Sequence, residues 1–121
     1  MIEIVKTIPS NCVAIPSKGR AGKIKALRAF ANCEKVVVVE PKECGAYFDY
    51  LNNMHSDAKI MILPANDRGI VFARNEILKA SEGVVIMCDD DVRAVYGWNG
   101  CKYSKGNNID SVMILDICNT L

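Results

Sequence analysis

Short apolar runs alternate with stretches of helical period along most of the chain. Cys12–Ile15 is an apolar run stopped by Pro16. Lys23–Ala31 follows, with Ile24, Leu27, Phe30 and Ala31 on one side and basic residues on the other, which predicts an amphipathic helix. Val36–Val39 is an unbroken run of valine, a composition suited to a strand buried on both faces, and Pro41 closes it. Glu43–Asn52 reads as a short helix carrying Tyr47, Tyr50 and Leu51, and Ile60–Leu63 as a strand ended by Pro64. Gly69–Ala80 is the clearest helix, with Ile70, Ala73, Ile77 and Ala80 at helical spacing and Asp67 as its expected N-cap. Gly83 then breaks the chain before an apolar strand, Val84–Cys88. Tyr96–Asn108 is glycine-rich and reads as a loop or hairpin, and Val112–Leu115 suits either a strand or a helix.

Such β-α alternation with short connections predicts an α/β three-layer sandwich, a mainly parallel sheet covered by helices in the Rossmann-like manner. Ligands of these sheets gather beyond the carboxyl ends of the strands. The residues expected there are Pro16-Ser17-Lys18-Gly19-Arg20, Glu40-Pro41, Pro64-Ala65-Asn66-Asp67-Arg68 and Asp89-Asp90-Asp91. Topology and chemistry therefore agree on one polar edge.

Composition narrows the picture a little. The 121 residues suit one domain, and a formal net charge of +1 gives no global field toward nucleic acid or membrane. Six cysteines without a C-x-x-C pair, and a single histidine, His55, argue for reduced thiols rather than a disulfide frame or a zinc site. No secretory leader and no apolar run near the ~20 residues of a membrane span is visible, so a cytoplasmic location is expected.

Three segments carry candidate chemistry. Three adjacent aspartates after a buried strand repel one another, and a cation would relieve that cost. If the chain stays extended, Asp89 and Asp91 share a face and Asp90 turns aside as a bystander. Hard oxygen donors suit Mg²⁺ or Mn²⁺, although a bare acidic triplet is equally compatible with a solvated turn. The loop from Ser17 to Lys23 fails as a P-loop, because serine stands where the first glycine belongs. It remains a basic strand-to-helix loop in which Arg20 offers a planar fork to a phosphate, or else forms a solvated turn. Arg74-Asn75, early in the clearest helix, could orient the carboxylates or simply face water. Glu40, just past the valine strand, could accept from a ribose or a base NH; as an exposed strand end it would do nothing. Tyr47, Tyr50 and Trp98 are expected to pack.

Taken together, these segments resemble a known family. G-I-V-F-A-R-N-E-I-L-K-A-S-E-G-V-V-I-M-C-D-D-D resembles family-2 glycosyltransferases of the GT-A fold, in which an A-R-N helix, a glycine and an apolar strand lead to a D-x-D motif. The I-P-S-K-G-R opening, V-E-P-K-E and D-D-D-V resemble more narrowly the TET-associated glycosyltransferases, found largely in bacteriophages and linked to sugar modification of hydroxymethylated bases. The resemblance, over roughly Val13–Val92, implies a single GT-A nucleotide-sugar-binding domain across residues 1–121. It implies a metal-dependent hexosyltransferase using a nucleotide-diphosphate sugar, such as a UDP-sugar, with a modified DNA base as candidate acceptor. Carried over residue by residue, Pro16, Ser17 and Arg20 would line the nucleotide pocket and Glu40 would contact the uridine-like moiety. Arg74 and Asn75 would support the pyrophosphate, Asp89 would lie near the ribose or sugar, and Asp91 would bind Mn²⁺ or Mg²⁺. A phage origin would place the protein in the host cytoplasm.

The departure lies after the acidic motif. Members of the fold build an acceptor site there and, in inverting enzymes, supply a carboxylate base. Beyond the glycine-rich loop this sequence offers only Asp110 and Asp116. A shortened acceptor part is therefore expected, completed by a partner chain or leaving a nucleotide-binding remnant, and an unpaired edge strand near Val112–Leu115 would invite homo-oligomers. Two other readings stand beside transfer of a sugar. A nucleotidyltransferase would need a glycine-rich loop that I-P-S-K-G-R lacks, and a non-catalytic nucleotide-binding or assembly module would leave the acidic cluster a mere turn.

Overall fold

A computed structural model of the chain describes residues 2–93 and, as backbone, the strands 96–98 and 103–105. Its centre is a five-stranded, all-parallel sheet. The strands are β1 (Ile4–Val5), β2 (Cys12–Pro16), β3 (Lys35–Val39), β4 (Lys59–Ile62) and β5 (Val85–Met87), in the order β1-β4-β3-β2-β5. The helices are α1 (Ala26–Ala29), α2 (Cys44–Asn53, after a 3-10 turn at Pro41–Glu43) and α3 (Gly69–Ala80). A separate antiparallel hairpin pairs β6 (Tyr96–Trp98) with β7 (Tyr103–Lys105), in the segment where the glycines suggested a loop or hairpin. The expected element at Val112–Leu115, and Asp110 and Asp116, lie outside the described residues.

Alternation along the central strands builds two cores, one on each face. Val13, Ile15, Val37, Val39 and Ile60 pack with Leu27 of α1, with Phe30 at its C-terminal cap, and with Tyr47 and Leu51 from α2. Cys12, Ala14, Val36, Val38 and Met61 pack instead with Ala73 and Ile77 of α3. The valine run is buried throughout because both faces are covered, as a parallel sheet between helices requires. The three-layer α/β sandwich expected from the alternation is the observed fold.

Strand order decides where a ligand can sit. From β2 the chain crosses to β3 and β4 on one side, then returns past β2 to lay β5 on the other. The carboxyl ends of β2 and β5 therefore flank the topological switch point, where the sheet leaves a crevice.

Several local expectations change. The helix expected over Lys23–Ala31 shortens to α1. Its lead-in is a turn closed by the Lys23 amide on the Arg20 carbonyl (2.8 Å), and the Lys25 and Ala26 amides donate to the Asp90 carbonyl (2.9 and 3.2 Å) instead of to a helix of their own. Ala31 is exposed, whereas Phe30 takes the core position. Asp67 does not cap α3: it sits in the left-handed region at φ +56°, Arg68 occupies the cap position, and the Asp67 carboxylate turns to two lysines. Strand β1 had no signal, since two residues are too short to show a period. Lys35, which starts β3, is buried because its ammonium donates to the carbonyls of Phe30 (3.2 Å) and Cys33 (3.0 Å) and lies 3.2 Å from Asp57.

Candidate functional site

The loop after β2 and the turn after β5 meet across the switch point. Ser17 Oγ lies 2.7 Å from Asp90 Oδ2 and 2.7 Å from the Tyr47 hydroxyl, and the Arg20 amide donates to that same hydroxyl at 3.0 Å. A serine hydroxyl carries a single proton and a carboxylate only accepts. Tyr47 O–H therefore donates to Ser17, and Ser17 O–H donates to Asp90. Arg20 Nε completes the group at 3.6 Å from Asp90 Oδ1. Burial raises the Tyr47 pKa, its largest influence, against the two hydrogen bonds that lower it, so the phenol stays neutral.

The three aspartates thus separate by environment. The Asp90 side chain is 12% exposed and engaged, whereas that of Asp89 is 66% exposed, 3.6 Å from Arg74 Nη2. Asp91 is exposed and has no ion-pair partner among the described residues. The expectation that Asp90 turns aside assumed an extended chain. Instead β5 ends at Met87 and a turn begins at Asp90, so the alternation of a strand no longer governs which way the carboxylates point. The cluster makes this strand end strongly negative: the Cys88 thiol is pushed up to about 12 by burial and then by Asp89, Asp91 and Asp90. Among the described residues no three or more His, Cys, Asp or Glu converge as a metal-binding group.

Glu40, expected as a binding residue, is buried at the end of β3. Its Oε2 accepts the Asp67 amide at 2.8 Å and lies 3.5 Å from Lys18 Nζ. Among the described residues its Oε1 has no hydrogen-bond partner, with Lys42 Nζ at 3.9 Å. Glu40 lines a cavity of about 150 Å³ with Pro16, Ser17, Val38, Gly69 and Ala73. That volume falls short of the ~300–1,000 Å³ of a drug-sized pocket and suits one ring of a larger ligand. Gly69 reaches φ +84° where α3 begins, a conformation glycine adopts without a Cβ penalty.

An ion cluster ties the neighbouring loops together. Asp67 Oδ1 lies 2.7 Å from Lys18 Nζ and 2.8 Å from Lys42 Nζ. Those hydrogen bonds hold the Asp67 pKa down at about 2. Glu43 Oε2 accepts the Gly19 amide at 2.7 Å, and Asn66 Oδ1 accepts the Lys42 amide at 3.0 Å.

Of the residues singled out in the sequence, Pro16, Ser17 and Glu40 share the cavity, Arg20 meets Asp90, and Arg74 meets Asp89. Asn75 is exposed on α3 and makes no hydrogen bond to the acidic turn. Sequence reasoning placed Lys18, Asp67 and Asp90 at the polar edge without a role in the site, and passed over Tyr47 and Lys42. Only the buried period of α2 hinted at Tyr47, and it pointed to packing.

The model of the TET-associated glycosyltransferases matches residues 12–116, which include β2 to β5, both loops of the switch point and the acidic turn. The chain belongs to the TET-associated glycosyltransferase family. No curated protein and no solved structure matches it. The matched residues span the crevice between β2 and β5 and the polar groups gathered there. No helix among the described residues is long and apolar enough to cross a membrane.

Proposed function

We propose that the chain is a metal-dependent glycosyltransferase that takes its sugar from a nucleotide diphosphate, with a uridine diphosphate sugar as donor and a modified DNA base as acceptor. The observation that carries the donor reading is Glu40 Oε1, a buried acceptor without a hydrogen-bond partner among the described residues, beside a ring-sized cavity at the carboxyl ends of β2, β3 and β4. A buried carboxylate oxygen left unpaired is costly, and a base NH or a ribose hydroxyl in the cavity would satisfy it. Pro16 and Ser17 would wall the nucleoside, and Arg20 would reach its phosphates.

The donor set also fits a divalent cation. Asp90 is already engaged by Ser17 and Arg20, which leaves as hard-oxygen ligands the exposed Asp91 and the exposed Asp89, the latter beside Arg74. Mg²⁺ and Mn²⁺ commonly take one or two carboxylates and complete their shell with substrate phosphates. When bound, the cation supplies positive charge where the leaving diphosphate becomes negative. In the transfer itself, the bond from the sugar carbon to the diphosphate oxygen breaks and a bond to the acceptor oxygen forms. The acceptor proton passes to a base, and the diphosphate leaves with the bonding pair. Ser17 and Tyr47 hold the loop that faces this exchange, Arg74 steadies Asp89, and Asn75 lies one residue on for the pyrophosphate.

Calorimetry with a uridine diphosphate sugar tests the reading. Binding is expected with Mn²⁺ or Mg²⁺ and much weaker with chelator. Glu40→Ala should weaken it by about 10- to 100-fold, the scale of one lost hydrogen bond to a charged group, and Asp91→Ala should abolish the gain that metal brings. No binding in either condition, together with an Asp91→Ala variant that behaves as the parent, sinks the proposal. Sedimentation in the same buffers checks the expected homo-oligomer.

A further inference from the structure

A second concave surface lies on the α1–α2 side of the sheet, an open groove of about 670 Å³. Lys23, Lys25, Arg28 and Arg93 line it together with Arg20, and no acidic residue does among the described residues. The charge is segregated rather than abundant, because the whole chain carries only +1. Elsewhere most of the described cations are paired: Lys18, Lys35, Lys42, Lys59, Lys79 and Arg74 each have a carboxylate within ion-pair distance, whereas Arg68 lies over the Phe72 ring and Lys6 stands apart from the groove. Lys23, Lys25, Arg28 and Arg93 have none among the described residues. Converging like charges without counterions cost energy unless an anion fills the space between them.

The groove also has an aromatic wall and some length. Half-buried Tyr50 lines it with the exposed Met54. A further hollow of about 470 Å³ shares Leu27, Arg28 and Met54 with it, and the one acid there, Asp57, is neutralised by Lys35. A free phosphate needs neither length nor a ring, and a flat bilayer cannot follow a concave surface. An extended chain of phosphodiesters with unstacked bases needs cations along a track and an aromatic face to stack on.

We propose that this groove holds the phosphate backbone of a single-stranded nucleic acid, with a base against Tyr50, and leads it past Arg20 to the acidic turn. The inference rests on the glycosyltransferase reading above and assigns a surface to its acceptor. Arg20 is the physical link, since it lines the groove and pairs with Asp90. The amides of Lys25 and Ala26 on the Asp90 carbonyl hold the groove wall and the turn in register.

The test is fluorescence anisotropy of the full chain with a labelled single-stranded oligodeoxynucleotide across a salt series. Four phosphate contacts predict a slope of log K on log salt near about −2.8, or about a fiftyfold loss between 50 and 200 mM. Lys23→Glu with Arg28→Glu should lower affinity by more than tenfold and flatten the slope by about 1.4, while Arg28→Lys keeps most of the binding. Uridine diphosphate calorimetry on the same variants should be unchanged, which shows that they fold and separates this inference from the donor reading. Oligonucleotide binding without donor binding would remove the donor reading and leave the groove standing. Donor binding with no oligonucleotide binding, or with binding indifferent to the charge reversals, overturns the groove. Equal competition by inorganic phosphate, polyglutamate or anionic lipid vesicles overturns it as well.

Discussion

Asp90 shows how one carboxylate is made structural while its neighbours stay open. Its side chain accepts Ser17 O–H and faces Arg20, and its carbonyl takes two amides from the start of α1. Hydrogen bonds to a charged group are each worth about 1.5–3 kcal/mol net when the site is shielded. The Arg20 pair counts for less, since its guanidinium is 46% exposed. Asp90→Ala should therefore cost about 2 kcal/mol in urea unfolding, with an unchanged m-value, whereas Asp91→Ala should move stability by less than about 0.5 kcal/mol. Equal effects of the two substitutions would mean that the turn does not distinguish them.

At the scale of elements, the joint between α3 and β5 is closely packed. Ser81 ends α3 by donating its hydroxyl to the Ile77 carbonyl at 2.6 Å, and the chain then passes the turn before β2. A Cβ placed on Gly83 would stand 2.6 Å from Ser10 Oγ and 2.8 Å from Ser10 Cβ. Rotating the serine relieves only the first of these clashes. The Asn11 amide bonds the Val84 carbonyl at 2.8 Å, so the two turns cannot part without losing that bond. Gly83→Ala is expected to destabilise the protein by about 1–3 kcal/mol, the usual cost of overpacking. Differential scanning calorimetry would show it as a lower midpoint, and restoration in the Gly83→Ala, Ser10→Gly double variant would assign the cause. The sequence marked Gly83 only as a break; the partner it must clear lies some seventy residues earlier.

Over the whole molecule, the carboxyl edge of the sheet is held by charges drawn from three separate loops. Lys18 follows β2, Lys42 follows β3 and Asp67 follows β4. Because the folded Asp67 pKa, at about 2, lies below its ordinary 3.8, the cluster favours the folded state fully above about pH 4. That contribution fades as pH falls toward 2, the direction in which Asp67 becomes neutral. Carboxyl NMR should place the Asp67 midpoint near 2, and Lys18→Ala with Lys42→Ala should return it toward 3.8. A midpoint already at the ordinary value would show that the three loops are not tied this way.

The chain's own pattern determined the α/β class, the strands around the valine run and the α3 helix. These follow from periodicities that side chains obey wherever a sheet and a helix bury one face, so they are local and legible. It also determined the polar edge and the family likeness, because Pro16, Ser17, Arg20, Glu40, Arg74, Asp89 and Asp91 lie in contiguous segments with readable spacing. Tertiary structure alone decided that β5 lies beside β2, and hence that Ser17 and Asp90, seventy-three positions apart, share a hydrogen bond. It decided which aspartate is engaged, because a turn at Asp90 and two amides from α1 replaced the alternation of a strand. It also gathered into one groove four cations, from α1, its lead-in and the segment after the acidic turn, that have no ion pair among the described residues. Such choices depend on contacts between distant segments, whose energies no local pattern in the sequence carries.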